Sequence, residues 1–166
     1  MVTDRNLKDA FAGESQANRK YLAFAQRAAQ ESLPQIARLF RAAAQAETVH
    51  ALNHFQAMRA VRSTRENLQE AIAGESFESE EMYPRYIATA MDEGAKLAML
   101  SFNNAMEVEK VHRKLYLEAL ERVEAGEDLP PESIYVCGVC GNTVVGEPLE
   151  QCPVCGASKE KFQEVH

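Results

Sequence analysis

Apolar residues recur at helical spacing through roughly the first 120 positions, as in Leu7, Ala10, Phe11, Ala17, Tyr21, Phe24 and Ala28, with charges on the opposite face. This periodicity predicts long amphipathic helices. Capping signals place their ends: Ser32-x-x-Gln35 with Pro34 in the first turn, Ser63-x-x-Glu66, and Glu93-Gly94, where glycine can close a helix in the left-handed conformation. Four helices are expected, over residues 4–31, 34–61, 65–92 and 95–124. Pro84 should kink the third, because its ring removes one backbone donor and crowds the preceding turn.

The pattern breaks at Gly126-Glu127-Asp128-Leu129-Pro130-Pro131-Glu132-Ser133, which reads as a linker. From Tyr135 onward short β-like runs and turn residues surround cysteines. Composition changes at the same place: the first 125 residues are rich in Ala, Leu, Glu, Arg, Lys and Met, whereas all four cysteines and most prolines fall in the tail. With 166 residues the chain can form one sizeable core plus a small appendage that needs its own staple. The expected division is a helical bundle over 1–125, a linker over 126–134 and a metal-stapled domain over 135–166, mainly α overall.

A formal net charge of -7 argues against a nucleic-acid groove, which would carry a basic face, and suits cations instead. The N-terminal residues lack an apolar run of signal-peptide length. No stretch approaches the roughly 20 apolar residues of a membrane helix, so neither membrane nor nucleic acid is an expected partner and the expected location is cytoplasmic.

The two helical halves echo each other. Ala10-Phe11-Ala12-Gly13-Glu14-Ser15 parallels Ala71-Ile72-Ala73-Gly74-Glu75-Ser76, and Glu47-x-x-His50 parallels Glu109-x-x-His112, at offsets of 61 and 62 residues. A duplicated helical hairpin explains this most simply. Residues i and i+3 share a helix face, so each Glu-x-x-His can reach one ion. A single such pair is commonly a solvated surface pair. Two of them on alternate helices, with Glu14 and Glu75 on the other two, reproduce the ligand set of ferritin-like di-iron bundles. Hard carboxylate oxygens neutralise and bridge divalent ions, and imidazole nitrogen completes the set. Glu78 follows Glu75 by three residues and shares its face.

Cys137-Gly138-Val139-Cys140-Gly141 and Cys152-Pro153-Val154-Cys155-Gly156 are two C-x-x-C-Gly units separated by eleven residues. In a reducing compartment this spacing indicates a tetrahedral four-thiolate metal site rather than disulfides. Zinc and iron both occupy such knuckles. No Gly-rich dinucleotide fingerprint is present, so the chain is not expected to bind NADH itself.

Along its whole length the sequence resembles the rubrerythrins, through Ala12-Gly13-Glu14-Ser15-Gln16-Ala17, Gly74-Glu75-Ser76-Phe77-Glu78, Met82-Tyr83-Pro84 and the two cysteine units in order. The resemblance implies a ferritin-like four-helix bundle with a C-terminal rubredoxin-like domain. It implies two iron ions held by Glu14, Glu47, Glu75, Glu78, Glu109 and His112, with His50 replacing Glu78 on one iron when the site is reduced. Tyr21 and Tyr83 would lie near the irons, or serve as core aromatics; His54 is read as a core residue or one behind the ligands, and Tyr116 as a packing residue. A third iron would sit on Cys137, Cys140, Cys152 and Cys155, where zinc can be misincorporated. The implied activity is that of a peroxidase, reducing hydrogen peroxide to water with electrons relayed through the four-cysteine iron from a rubredoxin or an NAD(P)H-dependent reductase. A ferritin-like ferroxidase, and a zinc-stapled scaffold without catalysis, are the alternatives.

Chain length bears on assembly. In a ferritin-like bundle the second and third helices run parallel, so their connection must traverse the bundle; a helix of about 28 residues is roughly 42 Å long. The gap from Val61 to Arg65 reaches only about 10–15 Å. Either the helices run up-down-up-down or the first hairpin of one chain packs with the second hairpin of its partner. The expectation is the latter, a domain-swapped homodimer.

Overall fold

A computed structural model describes residues 1–166. The helical expectation holds, and the residues divide into two compact units, Met1–Arg62 and Ser63–His166. The first is a helical hairpin of α1 (Val2–Gln30) and α2 (Pro34–Ala57). Its seam is made of small residues: Ala25, Ala28, Ala37, Ala44 and Ala51 are its buried apolar positions. Alanine along both helices lets the backbones approach closely. Phe11 stacks on Phe55 at 4.9 Å between ring centroids, and Tyr21 and Phe24 gather around Phe40. Larger apolar side chains including Leu39 (69% exposed), Val49 and Leu52 remain open to solvent.

The second unit begins with α3 (Thr64–Phe77), capped by Ser63, whose hydroxyl accepts from the Glu66 backbone while Glu66 reaches back to the Ser63 N–H. A π-helical turn, Glu78–Met82, joins α3 to α4 (Tyr83–Asp92), and α5 (Lys96–Glu124) returns along them. Arg65 meets Glu124 at 3.0 Å, tying the start of α3 to the end of α5. A three-stranded antiparallel sheet follows in the order β2-β1-β3, with β1 at Ile134–Cys137, β2 at Thr143–Val145 and β3 at Phe162–Val165. No helix is long and apolar enough to cross a membrane.

The helices depart from expectation at Pro84 and at the ends of two of them. The irregularity attributed to Pro84 takes the form of the π-turn preceding it, in which the Tyr83 N–H bonds Glu78 O. Widening one turn lets the helix pass Pro84, which cannot donate and would crowd the carbonyl four residues back. Ser32, expected to cap α2, instead ends α1 at φ 60, with Leu33 N–H on Ala28 O and Ser32 N–H on Ala29 O. The same closure stops α2 at Ala57 rather than 61: Arg59 sits at φ 52, with Ala60 N–H on Phe55 O. Gly94, at φ 68, closes α4 in this way as expected.

Candidate metal centres

In the first unit α1 and α2 bring Glu14, Glu47 and His50 together, with one potential ligand atom from each within 4.8 Å of the others. His50 Nδ1 lies 2.9 Å from Glu47 Oε2, the i, i+3 geometry anticipated from the sequence. Asn18, one turn beyond Glu14, fixes the register: its amide donates to Ala44 O at 2.6 Å and to Thr48 Oγ1 at 2.8 Å. The hydrogen bond with Glu14, then that with His50, hold the Glu47 carboxyl below its ordinary value.

The second unit repeats the arrangement. Glu75 on α3 converges with Glu109 and His112 on α5, again within 4.8 Å. His112 Nδ1 is 2.9 Å from Glu109 and 3.8 Å from Glu75. Burial first, and then the charge of Glu109, push the Glu75 carboxyl up to about 7. Glu78 is raised by burial and by Glu109 as well. It stands outside the tight group of three, at the first position of the π-turn. Inside that turn Ser79 is buried, and its hydroxyl bonds Glu75 O at 2.6 Å, bracing the backbone that carries both carboxylates.

Tyr83 follows the π-turn, and its phenol is raised by burial and by Glu109, Glu78 and Glu75, so it senses this cluster. Tyr21 packs with Phe24 and Phe40, at 6.2 and 6.3 Å between ring centroids. Tyr116 packs near the His112 ring at 6.5 Å. His54 lies in the last turn of α2, where its backbone carbonyl accepts from Met58 N–H.

The four cysteines form the third group. Gly141 and Gly156, at φ 86 and 72, let each knuckle turn back so that their N–H groups donate to Cys137 O and Cys152 O at 2.9 Å. Backbone N–H groups of Cys140 and Val139 hold the Cys137 thiol below its ordinary value although burial opposes them, while burial pushes Cys155 up. The Sγ atoms of Cys137 and Cys155 are 3.8 Å apart, and those of Cys140 and Cys152 3.6 Å. A metal with four thiolate bonds of about 2.3 Å has tetrahedral edges of about 3.8 Å, so this spacing fits one ion. The carboxylate and imidazole donors fit too, since divalent cations would offset the like charges that raise Glu75 and Glu78.

One contact was not legible in the sequence. His112 Nε2 lies 2.9 Å from Thr143 Oγ1, on β2 of the cysteine domain, and that hydroxyl donates to Gly141 O at 3.4 Å. Asn18, Thr48 and Ser79 were likewise missed, because isolated polar residues on helices carry no motif.

The chain is similar to known proteins over nearly its whole length. The family model described as Rubrerythrin matches residues 5–120, and that of the rubrerythrin rubredoxin-like domain matches 135–163. Rubrerythrin-2 of Clostridium acetobutylicum is 39% identical over 95% of this chain and 93% of its own length. Nigerythrin of Nitratidesulfovibrio vulgaris is 35% identical over 96% and 85%. A solved nigerythrin in a mixed-valence state aligns with a TM-score of 0.59 at 35% identity, covering 98% of this chain and 86% of that one. The expected fold class, ferritin-like helices with a rubredoxin-like domain, therefore holds, and the chain belongs to the rubrerythrin family.

Proposed function

We propose that this chain is an iron-dependent peroxidase that reduces hydrogen peroxide to water, with electrons entering through its four-cysteine centre. The observation carrying this reading is the pairing of two matched Glu and Glu-x-x-His groups with a four-thiolate knuckle on one chain. A nigerythrin solved in an all-ferrous state supports iron as the metal. Glu14, Glu47, Glu75, Glu78, Glu109 and His112 would hold two irons, His50 would exchange with Glu78, and Cys137, Cys140, Cys152 and Cys155 would hold a third. When bound, the paired irons would supply two-electron chemistry for O–O cleavage, and an iron on the four thiolates would supply one-electron transfer.

The side chains account for further requirements. Deprotonated Glu75 and Glu78 would offset the ions' charge, and the ions would in turn offset the burial and mutual repulsion that raise both carboxyls in the metal-free chain. Tyr83 can donate a hydrogen bond to a carboxylate, and Tyr21 would support the first triad. Electrons would come from a rubredoxin or from NAD(P)H through a separate reductase, in a reducing cytoplasm that keeps the thiols free.

Assembly as a domain-swapped homodimer is part of the proposal. Helix α2, with 24 residues, is about 36 Å long, whereas residues 58–63 span at most about 20–25 Å. The connection cannot traverse a ferritin-like bundle, so Glu14, Glu47 and His50 of one chain would meet Glu75, Glu78, Glu109 and His112 of its partner. The exposed Leu39, Val49 and Leu52 give the first hairpin apolar surface to bury there.

The test is anaerobic: reduced, iron-loaded protein is mixed with hydrogen peroxide, and three irons per chain with rapid oxidation are expected. Slow oxidation by peroxide together with mineral formation from excess ferrous iron would instead favour a ferroxidase.

A further inference from the structure

Thr143 is the one side chain that bonds the cysteine domain to an imidazole of the carboxylate cluster. It stands on β2, three residues after Cys140, while His112 lies on α5. With a cation on Nδ1, the two hydrogen bonds take one direction. With the Thr143 proton given to Gly141 O, the oxygen's lone pairs face His112 and accept from Nε2–H. Nδ1 then turns its own lone pair toward Glu109 and Glu75, where a cation would sit.

Solvent has a route to this edge of the ring. A cavity of about 590 Å³ touches both His112 and Thr143 and is walled mainly by apolar groups such as Leu115, Leu129, Ile134 and Val145. Without the hydroxyl, water there would be the imidazole's only partner on that side. Water fixes neither the tautomer nor the ring angle.

We infer that Thr143 is a positioning residue: its hydroxyl locks His112 in the Nε2–H tautomer and joins the four-cysteine knuckle to the metal-facing histidine through Cys140, Gly141, Thr143 and His112. Valine at 143 has nearly the shape of threonine and suits a strand, so Thr143→Val removes the hydroxyl with the sheet intact. Thr143→Ser restores it without the methyl. The inference rests on the iron reading only for its kinetic arm.

The first readout uses protein loaded with zinc throughout, which is diamagnetic. The His112 Nε2 proton, followed by nitrogen-15 NMR, should exchange with solvent about tenfold faster in Thr143→Val, and at close to the original rate in Thr143→Ser. The second readout is oxidation of the ferrous four-cysteine iron to ferric after peroxide is added to iron-loaded protein, one electron leaving for each equivalent the paired irons accept. It should slow about tenfold in Thr143→Val and recover in Thr143→Ser. Unchanged proton exchange in Thr143→Val, or a Thr143→Ser variant as impaired as Thr143→Val, overturns the assignment. If unsubstituted iron-loaded protein fails to respond to peroxide, the peroxidase reading falls, and the zinc measurement still decides the role of Thr143.

Discussion

Glu75 should make the metal-free protein lose stability as pH rises. The side chain is 18% exposed, and its carboxyl moves from 4.5 to about 7 through burial and then through the charge of Glu109. A folded-state value above the unfolded one means that the native state holds the proton more tightly. Between about 4.5 and 7 the unfolded chain therefore binds fewer protons, and stability falls with each increment of pH. This contribution is fully present below 4.5 and lost above 7. At about 1.4 kcal/mol per tenfold change in proton affinity the full effect would be about 3 kcal/mol, and solvent at the site screens part of it, leaving about 1–2 kcal/mol. Glu78 shifts in the same direction and adds to the slope. The assay is urea unfolding of chelated protein at pH 5, 6, 7 and 8, at fixed protein concentration. Glu75→Gln should flatten the profile, because the amide is neutral throughout. Metal-loaded protein should reverse it, since binding requires the deprotonated carboxylate. A chelated protein whose stability stays level or rises from pH 5 to 8, or a Glu75→Gln variant with an unchanged slope, would refute the reasoning.

Subunit mixing tests the swap. A chain carrying Glu14→Ala and Glu47→Ala, refolded with one carrying Glu75→Ala and Glu109→Ala, should regain metal in one of the two carboxylate sites of each heterodimer; an unswapped bundle would regain none, which metal analysis reads directly. Cys140→Ser should abolish metal binding at the knuckle and melt the sheet while helical circular dichroism persists, because so small a domain depends on its ion. Ser63→Ala should cost about 1 kcal/mol by thermal unfolding, through loss of the α3 cap.

The helices were legible because their periodicity is long and regular, and the triads because duplication repeated them at nearly one offset. The helix ends were less so. Four helix ends share one closure, with a left-handed residue accepting the turn; glycine announces it at Gly94 and Gly126, but Ser32 and Arg59 occupy the same conformation without any sequence signal. The Ser32-x-x-Gln35 pattern therefore reads as the start of α2, although Ser32 closes α1. The π-turn was similarly hidden: Pro84 signals a disturbance, yet the hydrogen bonds absorb it between Glu78 and Met82. Thr143 shows a further limit, since its partner His112 is 31 positions away and no spacing rule links a strand hydroxyl to a helix imidazole.

The duplication also bears on how metal and assembly depend on each other. Each hairpin already gathers two carboxylates and one imidazole, which is too few donors for two ions and carries like charges that repel. If a site needs one triad from each chain, cations bind the assembled dimer far better than either hairpin alone. By linkage the metal then stabilises the dimer by an amount that grows with the logarithm of its concentration above the dissociation constant. Chelation should therefore raise the monomer fraction measured by analytical ultracentrifugation, and restoring ferrous iron should lower it. The Cys140→Ser protein should respond in the same way, because its carboxylate triads are untouched.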